Sequence, residues 1–463
     1  MNYNEFLERK KIRFYNGGFE SDYVNEKLFG WQTDIVKWCL RKGKSAIFSD
    51  CGSGKTAMQL EWAAEVSEHC QMPVLILAPL SVGKQTQREG LKFGIHVTVC
   101  RTQADVKVGV NIANYEMIEH FDPSAFCGIV LDESSILKHQ DSKTRQYLTE
   151  SFADTPYKLC CTATPSPNDF MELGQHSQFL GVMTHTEMLA TFFIHDGGDT
   201  AKWRLKGHAV DKFFEFVASW ACCLTRPQDL GYEQDGYDLP ELRIHEVQTD
   251  SEPLECENGQ VRLFAGVAQT LEERRAARRC SLGDRVQIAA DIANETDEQV
   301  LVWCGLNDEG DALTKAINGA VQVAGSDTMQ HKENTMLGFS AGNVRALVSK
   351  AKIAGWGMNW QNCHKVIFVG LSDSFEEYYQ AVRRCWRFGQ TEPVDVYIII
   401  SDAEGAVRAN IERKQKDAER MKEELIKHTR DILSADIHST VKVTDTYKTN
   451  MRMEIPTWMK SMA

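Results

Sequence analysis

Long apolar runs are missing from this sequence. No segment approaches the ~18 consecutive uncharged apolar residues that a membrane-spanning helix requires. The N-terminal stretch MNYNEFLERKKIRF carries charges where a signal peptide needs an apolar segment. These two absences argue against a membrane partner and predict a cytoplasmic protein.

Paired cysteine motifs are also lacking. The 14 cysteines are scattered and form no C-x-x-C pair, and the neighbours Cys160–Cys161 and Cys222–Cys223 are poorly spaced for a zinc site. The pattern predicts buried free thiols in a reducing compartment, and it disfavours both a disulfide framework and a structural metal.

Positive charge is in short supply. The chain has 52 Lys and Arg against 65 Asp and Glu, which gives a formal net charge of -13. Because phosphate contacts need Lys and Arg, this balance argues mildly against nucleic-acid binding. Net charge is a sum over the whole surface, however, so a basic groove on an acidic body is compatible with it.

Short β-branched apolar runs are plentiful and form two sets. Continuous runs of this length are typical of strands covered on both faces, as in parallel α/β sheets. At 463 residues the chain is also too long for one typical core. The sequence therefore predicts an α/β protein with two parallel-sheet lobes. The runs are SAIFS (45–49), VLILA (74–78), GIVLD (128–132) and KLCCTAT (158–164), then VLVWC (300–304), RALVS (345–349), KVIFVG (365–370) and VDVYIII (394–400).

Segments outside these runs divide the chain further. Residues 170–225 are predicted to be mostly helical, and 229–242 to be a connector, because this stretch is rich in Gly and Asp. A mixed-charge helix is predicted over 404–430, and we expect it to pack on the second lobe rather than to form a short coiled coil. Its apolar face consists of Val407, Ile411, Ala418, Met421 and Leu425.

The resulting domain boundaries are a prediction from these patterns. They are a first lobe over 1–240 with a helical insertion at about 170–228 and a linker at about 229–240, a second lobe over 241–403, and a helical tail over 404–463.

The Gly-rich stretch SDCGSGKT (49–56) follows the first strand run and precedes a helical run. In this context glycines let backbone N–H groups approach phosphates, Lys55 reaches the β- and γ-phosphates, and Thr56 binds Mg²⁺. The strict motif fails at its first position, Ser49, and the alternative is a Gly-rich turn with a surface lysine. The residues expected to contact a nucleotide here are Gly52, Ser53, Gly54, Lys55 and Thr56.

Two carboxylates end the strand run of IVLDESS (129–135). Asp132 is expected to hold Mg²⁺ through water, and Glu133 to orient and deprotonate an attacking water. A lone Asp-Glu pair is more often an acidic helix cap, but the phosphate-loop pattern upstream favours catalysis. A third stretch, CCTATPSPND (160–169), by itself predicts only a strand followed by a turn.

In this order the three motifs resemble the superfamily-two helicase ATPases. Within them they resemble the Snf-type branch, the chromatin-remodeller-like DNA translocases, in the compact form found in phages. The similarity covers about residues 28–400 in the family's order. Its further elements are LFGWQ (28–32), LAPLSVGKQTQREGLKF (77–93), NYEMI (114–118), LTRPQDLGY to LP (224–240), GSDTMQHKENTMLGF (325–339), SKAKIAGWGMNW (349–360) and QAVRRCWRFGQ (380–390).

The resemblance implies two tandem RecA-like lobes that bind ATP and Mg²⁺ and couple hydrolysis to movement along DNA, duplex rather than single-stranded. It implies a monomeric motor, with replication or recombination proteins as candidate partners. Gln32 would read the base and Gly355 would contact the nucleotide. The implied nucleic-acid contacts are Ser81, Asn114, Tyr115, Thr162, Gly357 and Asn359.

The final element, QAVRRCWRFGQ, is basic in an acidic chain. Arg384 and Arg387 are three residues apart, so on a helix they would share one face and reach the γ-phosphate across the cleft. Arg383 would face solvent or DNA. A solvated helix face is the alternative here, and it is the favoured interpretation of the arginine cluster at 274–279.

Two positions depart from the family pattern. Ser135 stands where the family has His or Gln, and Trp386 stands where it has His. Both lie where the resemblance couples nucleotide state to nucleic-acid contacts. Three alternatives therefore stay open: a nucleotide-dependent recruiter with little turnover, a processive unwinding helicase, and an RNA-directed helicase.

Overall fold

A computed structural model describes residues 17–22, 24–79, 82–138, 143–166, 169–196, 199–233, 238–249, 281–354, 358–372, 374–401 and 405–438. The arginine cluster at 274–279 lies outside these residues. Within them, no helix combines the length and the apolarity that crossing a bilayer demands.

Two parallel sheets form the centres of two lobes. The first-lobe strands are β1 (Lys44–Ser49), β2 (Val74–Ala78), β3 (Val97–Val99), β4 (Val110–Asn114), β5 (Gly128–Asp132), β6 (Tyr157–Thr162) and β9 (Ala221–Leu224), and an antiparallel hairpin of β7 (Phe193–Asp196) and β8 (Asp199–Leu205) lies outside that sheet. The second-lobe strands are β10 (Leu242–Thr249), β11 (Val300–Cys304), β12 (Ala320–Val323), β13 (Ala346–Ser349), β14 (Lys365–Val369) and β15 (Val394–Ser401).

Helices cover both faces of each sheet. In the first lobe they are α1 (Gly30–Lys42), α2 (Lys55–Cys70), α3 (Gly83–Phe93), α4 (Lys143–Ser151), α5 (Leu173–Leu180), α6 (His185–Phe192) and α7 (Val210–Ala218). Those that follow are α8 (Leu282–Asn294), α9 (Asn307–Ala316), α10 (Met329–Ser340), α11 (Ala351–Ala354), α12 (Phe375–Val382) and α13 (Gly405–His438). Short 3-10 turns occupy Gln103–Asp105, Tyr115–His120, Pro123–Ala125, Ser134–Lys138, Phe170–Glu172, Gly207–Ala209 and Pro227–Leu230.

The strand order places chemistry at one edge. The first sheet has the order β3-β4-β2-β5-β6-β1-β9, and the second has the order β10-β15-β14-β11-β13-β12. In the first, Phe48 of β1 pairs with Thr162 of β6, and Asp132 of β5 pairs with Cys161 of β6. Because all three strands are parallel, the loops after β1, β5 and β6 meet at the same carboxyl edge.

The predicted α/β class with two parallel-sheet lobes is confirmed. Each of the eight predicted strand runs overlaps an observed strand. The strands that the apolar runs did not predict are mostly at or near sheet edges. Most of them are short or partly exposed, as in β10, whose residues 243, 244, 246 and 248 are exposed. The prediction that 170–225 is mostly helical is wrong in part, since this stretch also contains the hairpin and β9.

The C-terminal helix α13 departs most from expectation, because it packs on both lobes and not on the second alone. Val407 and Ile411 belong to the core of the second lobe, whereas Leu425 and Leu433 belong to the two cores of the first. With 34 residues α13 is about 50 Å long, which is enough to reach from one lobe across the other.

The C-terminal end of α13 is held on α1 by charge as well as by apolar contact. The carboxylate of Asp436 lies 2.9 Å from the ammonium of the buried Lys42 and accepts the indole N–H of Trp38 at 2.7 Å. Burial lowers the pKa of Lys42, and the Asp436 charge opposes that shift. A buried ammonium needs such a partner, so the end of α13 has one preferred docking position.

Candidate functional site

The Gly-rich loop after β1 has the backbone of a phosphate cradle. Gly52 and Gly54 have φ angles of +88° and +82°, a region that side chains rarely adopt. A Cβ atom on Gly52 would lie 2.8 Å from the backbone nitrogen of Phe388 in the second lobe. Glycine at this position therefore lets the loop approach the other lobe closely.

Lys55 begins α2, and its ammonium is held at the mouth of the loop. The Lys55 Nζ donates to the carbonyl oxygens of Ser49 at 2.8 Å and Asp50 at 2.9 Å. Ser49, where the strict motif fails, shares a hydrogen bond of 2.7 Å between its hydroxyl and that of Ser53. Ser49 therefore forms a hydrogen bond within the loop itself. Lys55 and the N-terminus of α2 face the same space.

Gln32, predicted to read a base, supports this loop from α1. The side chain is buried, its Nε2 donates to the Ser53 carbonyl at 2.9 Å, and its Oε1 accepts the Phe29 N–H at 3.0 Å. Both ends of the amide are engaged inside the first lobe. In this arrangement Gln32 holds the Gly-rich loop at a fixed distance from α1.

Asp132 and Glu133 lie at the end of β5. Burial and the charge of Glu133 raise the pKa of Asp132 to about 7, although Lys55 opposes the shift. Glu133 has a φ angle of +54°, a left-handed conformation that costs a non-glycine residue about 1–2 kcal/mol. Two adjacent carboxylates, one buried and one half-buried on a strained backbone, form a donor pair that suits a cation.

Two residues predicted to touch nucleic acid support these carboxylates from within. The Tyr115 hydroxyl is buried and donates to the Asp132 carbonyl at 2.7 Å. Thr162 is fully buried and its hydroxyl donates to Glu133 Oε2 at 3.4 Å. Neither side chain presents its hydroxyl at the surface, whereas Asn114, at the end of β4, is half-buried.

The arginines of the second lobe are not on a helix, contrary to the predicted shared helical face. Helix α12 ends at Val382, and Arg384 and Arg387 follow in a turn. They still converge, because both donate to the Met358 carbonyl, at 3.1 Å and 3.4 Å. Burial and the neighbouring Arg384 lower the pKa of Arg387 to about 10, so the two like charges face one anion-binding space.

A cavity of about 330 Å³ brings these residues together across the two lobes. Asn359, predicted to bind nucleic acid, lies here and donates from Nδ2 to Glu89 Oε1 of the first lobe at 3.2 Å. From the first lobe the cavity is lined by Gln32, Gly52, Gly54, Lys55, Thr56, Asp132 and Glu133, and from the second by Asn359, Gln361, Arg384, Arg387 and Phe388.

Arg383 was expected to face solvent or DNA, and that prediction is wrong. Its side chain is buried and its guanidinium pairs with the Asp50 carboxylate of the first lobe at 2.9 Å. The Trp386 ring covers it, with 4.3 Å between the guanidinium carbon and the ring centroid. The Trp386 indole in turn donates to the Pro240 carbonyl at 2.7 Å, so this unusual tryptophan closes an ion pair between the lobes.

Three predicted site residues, Ser81, Gly355 and Gly357, lie outside the described residues. In the part of the chain that the structure describes, no group of three or more His, Cys, Asp or Glu side chains could hold a metal ion. Thr56, Asp132 and Glu133 offer side-chain oxygen atoms to the cavity that Lys55 also lines. That donor set suits Mg²⁺, which takes few protein ligands and completes its shell with phosphate and water.

Sequence reasoning missed Asp50 and Glu89, which form contacts between the lobes. Asp50 stands directly before the Gly-rich loop, and Glu89 lies within the recognised QREG stretch. Their positions beside known motifs were the available signal. Their partners lie far along the chain, and only the fold brings them together.

The raised pKa of Asp132 gives a prediction for stability without Mg²⁺ or nucleotide. Because the pKa of Asp132 is about 7 in the folded protein, above its ordinary value of 3.8, the ionised carboxylate destabilises the fold progressively above pH 4 and fully above pH 7. We expect Asp132→Asn to raise the melting temperature by roughly 5 °C at pH 8. The gain should shrink toward pH 5.

Thermal melts in a chelating buffer measure this difference, with the exposed Asp431→Asn as the matched control. A lower melting temperature for Asp132→Asn at pH 8 would show that the carboxylate stabilises the site.

Two family models match separate stretches of the chain. The SNF2-related domain matches residues 31–193, and the helicase conserved C-terminal domain matches residues 284–389. A CHD3-type chromatin-remodeling factor, CHR7 of Arabidopsis thaliana, is 24% identical over 200 residues, or 37% of this chain. The match spans only 16% of that relative's length.

Among solved structures, the Sulfolobus solfataricus SWI2/SNF2 ATPase core in complex with dsDNA is similar over 93% of this chain and 99% of its own. The identity is 16% and the TM-score is 0.41. The two domain matches cover six of the seven strands of the first sheet and four of the six strands of the second. The chain belongs to the Snf2-type branch of the superfamily-two helicase ATPases.

Proposed function

We propose that the chain is a DNA-dependent ATPase that couples ATP hydrolysis to movement along duplex DNA. The observation that carries the proposal is the cavity in which Lys55, Asp132 and Glu133 of one lobe face Arg384 and Arg387 of the other. A site divided between two lobes links the chemistry to the distance between them.

The first lobe would bind the triphosphate. Backbone N–H groups of the loop around Gly52 and Gly54, with the N-terminus of α2, suit the β- and γ-phosphates. Lys55 is close enough to exchange the Ser49 and Asp50 carbonyls for phosphate oxygens. Mg²⁺, when bound, would neutralise phosphate charge, and the oxygens of Thr56 and Asp132 are suited to hold it.

Glu133 would act on the attacking water, and Arg387, supported by Arg384, would act at the γ-phosphate. The Glu133 carboxylate, oriented by the hydroxyl of Thr162, would align a water for attack and accept its proton. Among the described residues, Arg387 makes one long hydrogen bond, to the Met358 carbonyl, so guanidinium N–H groups would serve the γ-phosphate. Arg384 is tied more firmly to Gln380 and Met358 and would support Arg387 by fixing the turn.

A second cavity between the lobes supports DNA as the polymer along which the protein moves. This cavity of about 540 Å³ is lined by Tyr115 and Lys138 of the first lobe and by Lys332 and Lys352 of the second. Lys138 pairs with Glu376 across the lobes, and Lys352 pairs with Glu377. DNA phosphates would displace these carboxylates and change how the lobes meet, which would couple binding to hydrolysis.

The first prediction concerns the nucleic acid. We expect duplex DNA to raise ATP hydrolysis more than single-stranded DNA or RNA, measured as phosphate release with the three polymers in parallel. If about four phosphate contacts form, raising the salt from 50 to 200 mM should weaken DNA binding by roughly 100-fold. Equal rates of ATP hydrolysis with and without nucleic acid would contradict the proposal. A larger increase with RNA would show that RNA, and not DNA, is the polymer along which the protein moves.

The second prediction concerns the general base. Glu133→Gln removes the proton acceptor but keeps size and polarity, so we expect kcat to fall about 10²- to 10⁴-fold while ATP still binds. Filter binding of labelled ATP and a turnover assay separate the two effects. The exposed Glu119→Gln serves as the control. Turnover close to wild type in Glu133→Gln would remove Glu133 from the chemistry.

The third prediction concerns Arg387. Arg387→Lys keeps the charge but loses the planar fork of donors, so we expect kcat to fall about 10- to 100-fold with a smaller change in KM for ATP. The control is Arg413→Lys on the exposed side of α13. Normal hydrolysis by Arg387→Lys would show that this arginine does not contact the γ-phosphate.

A further inference from the structure

Asp50 is the meeting point of three separate parts of the chain. Its carboxylate accepts the Cys51 N–H at 2.9 Å and the hydroxyl of Tyr379 on one oxygen. The other oxygen lies 2.9 Å from the guanidinium of Arg383 and 2.9 Å from the ammonium of Lys422. The Asp50 cluster, formed by Asp50, Tyr379, Arg383 and Lys422, therefore joins the Gly-rich loop, the second lobe and α13.

The charges of the Asp50 cluster hold the Gly-rich loop, the second lobe and α13 close together. Burial alone would raise the pKa of Asp50, but Arg383, Lys422 and the Tyr379 hydroxyl outweigh it and hold that pKa well below its usual range. The carboxylate is thus ionised in the folded protein. A buried ionised carboxylate keeps its cationic partners at short distance because separating them would leave it unpaired.

The Asp50 cluster is also tied to the nucleotide cavity on both sides. The backbone carbonyl of Asp50 accepts from Lys55 Nζ at 2.9 Å. Across the cleft, Gln380 Oε1 accepts from Arg384 at 2.7 Å and lies 3.6 Å from the Cys51 thiol. A displacement of the Asp50 carboxylate would therefore shift the acceptor of Lys55 and the turn that carries the arginines together.

Lys422 lies on α13, and this helix is held in place at two points away from the Asp50 cluster. Ile411 packs in the core of the second lobe, and Asp436 anchors the far end of α13 on Lys42 of α1. Lys422 lies between these two attachments and is about one third exposed, with a side-chain exposure of 30%. The helix therefore sets where the ammonium sits.

We propose that Lys422 is a positioning residue for ATP hydrolysis, through which α13 aligns the Gly-rich loop with the arginines of the second lobe. The proposal rests on the proposed ATPase function and adds a regulatory input to it. Lys422 does not line the nucleotide cavity, so displacing α13 would slow turnover without removing a contact to the nucleotide.

The test is the variant Lys422→Met, assayed with duplex DNA in the full chain. We expect kcat to fall about fivefold, the loss of one charged hydrogen bond that is partly screened by solvent, while KM for ATP changes less than about twofold. Lys422→Arg, which keeps the charge, should retain most of the activity. Lys416→Met, on the exposed side of the same helix, should match wild type.

A double-mutant comparison separates positioning from general damage. If Lys422 acts through Asp50, adding Lys422→Met to Asp50→Asn should lower kcat by less than about twofold more. Independent, multiplying losses in the double variant would overturn the proposal. So would a Lys422→Met variant whose kcat equals that of Lys416→Met.

Amide hydrogen exchange over residues 50–56 gives a readout that needs no turnover. Exchange in this loop should be faster in Lys422→Met than in wild type and unchanged in Lys416→Met, with melting temperatures confirming that both are folded. Unchanged loop exchange in Lys422→Met would overturn the proposal. Faster exchange in a chain whose wild type hydrolyses no ATP would instead refute the proposed function and leave the Lys422 link standing.

Discussion

A carboxylate buried at the end of β1 organises this molecule. Asp50 cannot stay ionised in the protein interior unless cations come to it, and its two cations arrive from the second lobe and from α13. That one electrostatic demand fixes how the lobes face each other beside the Gly-rich loop. The cavity that contains Lys55, Asp132 and Arg387 exists because of this relative placement.

The site itself is built from unfavourable placements that a bound anion and a cation would relieve. Asp132 and Glu133 repel each other, as do Arg384 and Arg387, and each pair belongs to a different lobe. A metal ion would neutralise the first pair, and phosphate the second. Because relief of both requires the lobes to be close, a bound nucleotide would favour the closed arrangement.

The features that could be predicted from the sequence are those that a local pattern determines, namely the central strands and the short motifs. Central strands such as β2 and β5 are apolar on both faces, so their runs identified the fold, and Lys55 and Asp132 lie in short motifs with a mechanism. Edge strands such as β10 have exposed faces and gave no such run. The helical face expected for Arg384 and Arg387 failed because α12 ends before them, and the partners of Arg383 lie where only tertiary structure reveals them.

Helix α13 also has a consequence for how the chain is made. Trp38 and Asp436 are 398 positions apart, yet they share a hydrogen bond, and Leu433 fills the core beneath α1. The first lobe is synthesised early, but part of its apolar surface stays uncovered until α13 leaves the ribosome. Contacts of such long sequence separation form late, so for most of translation the first lobe lacks part of its core.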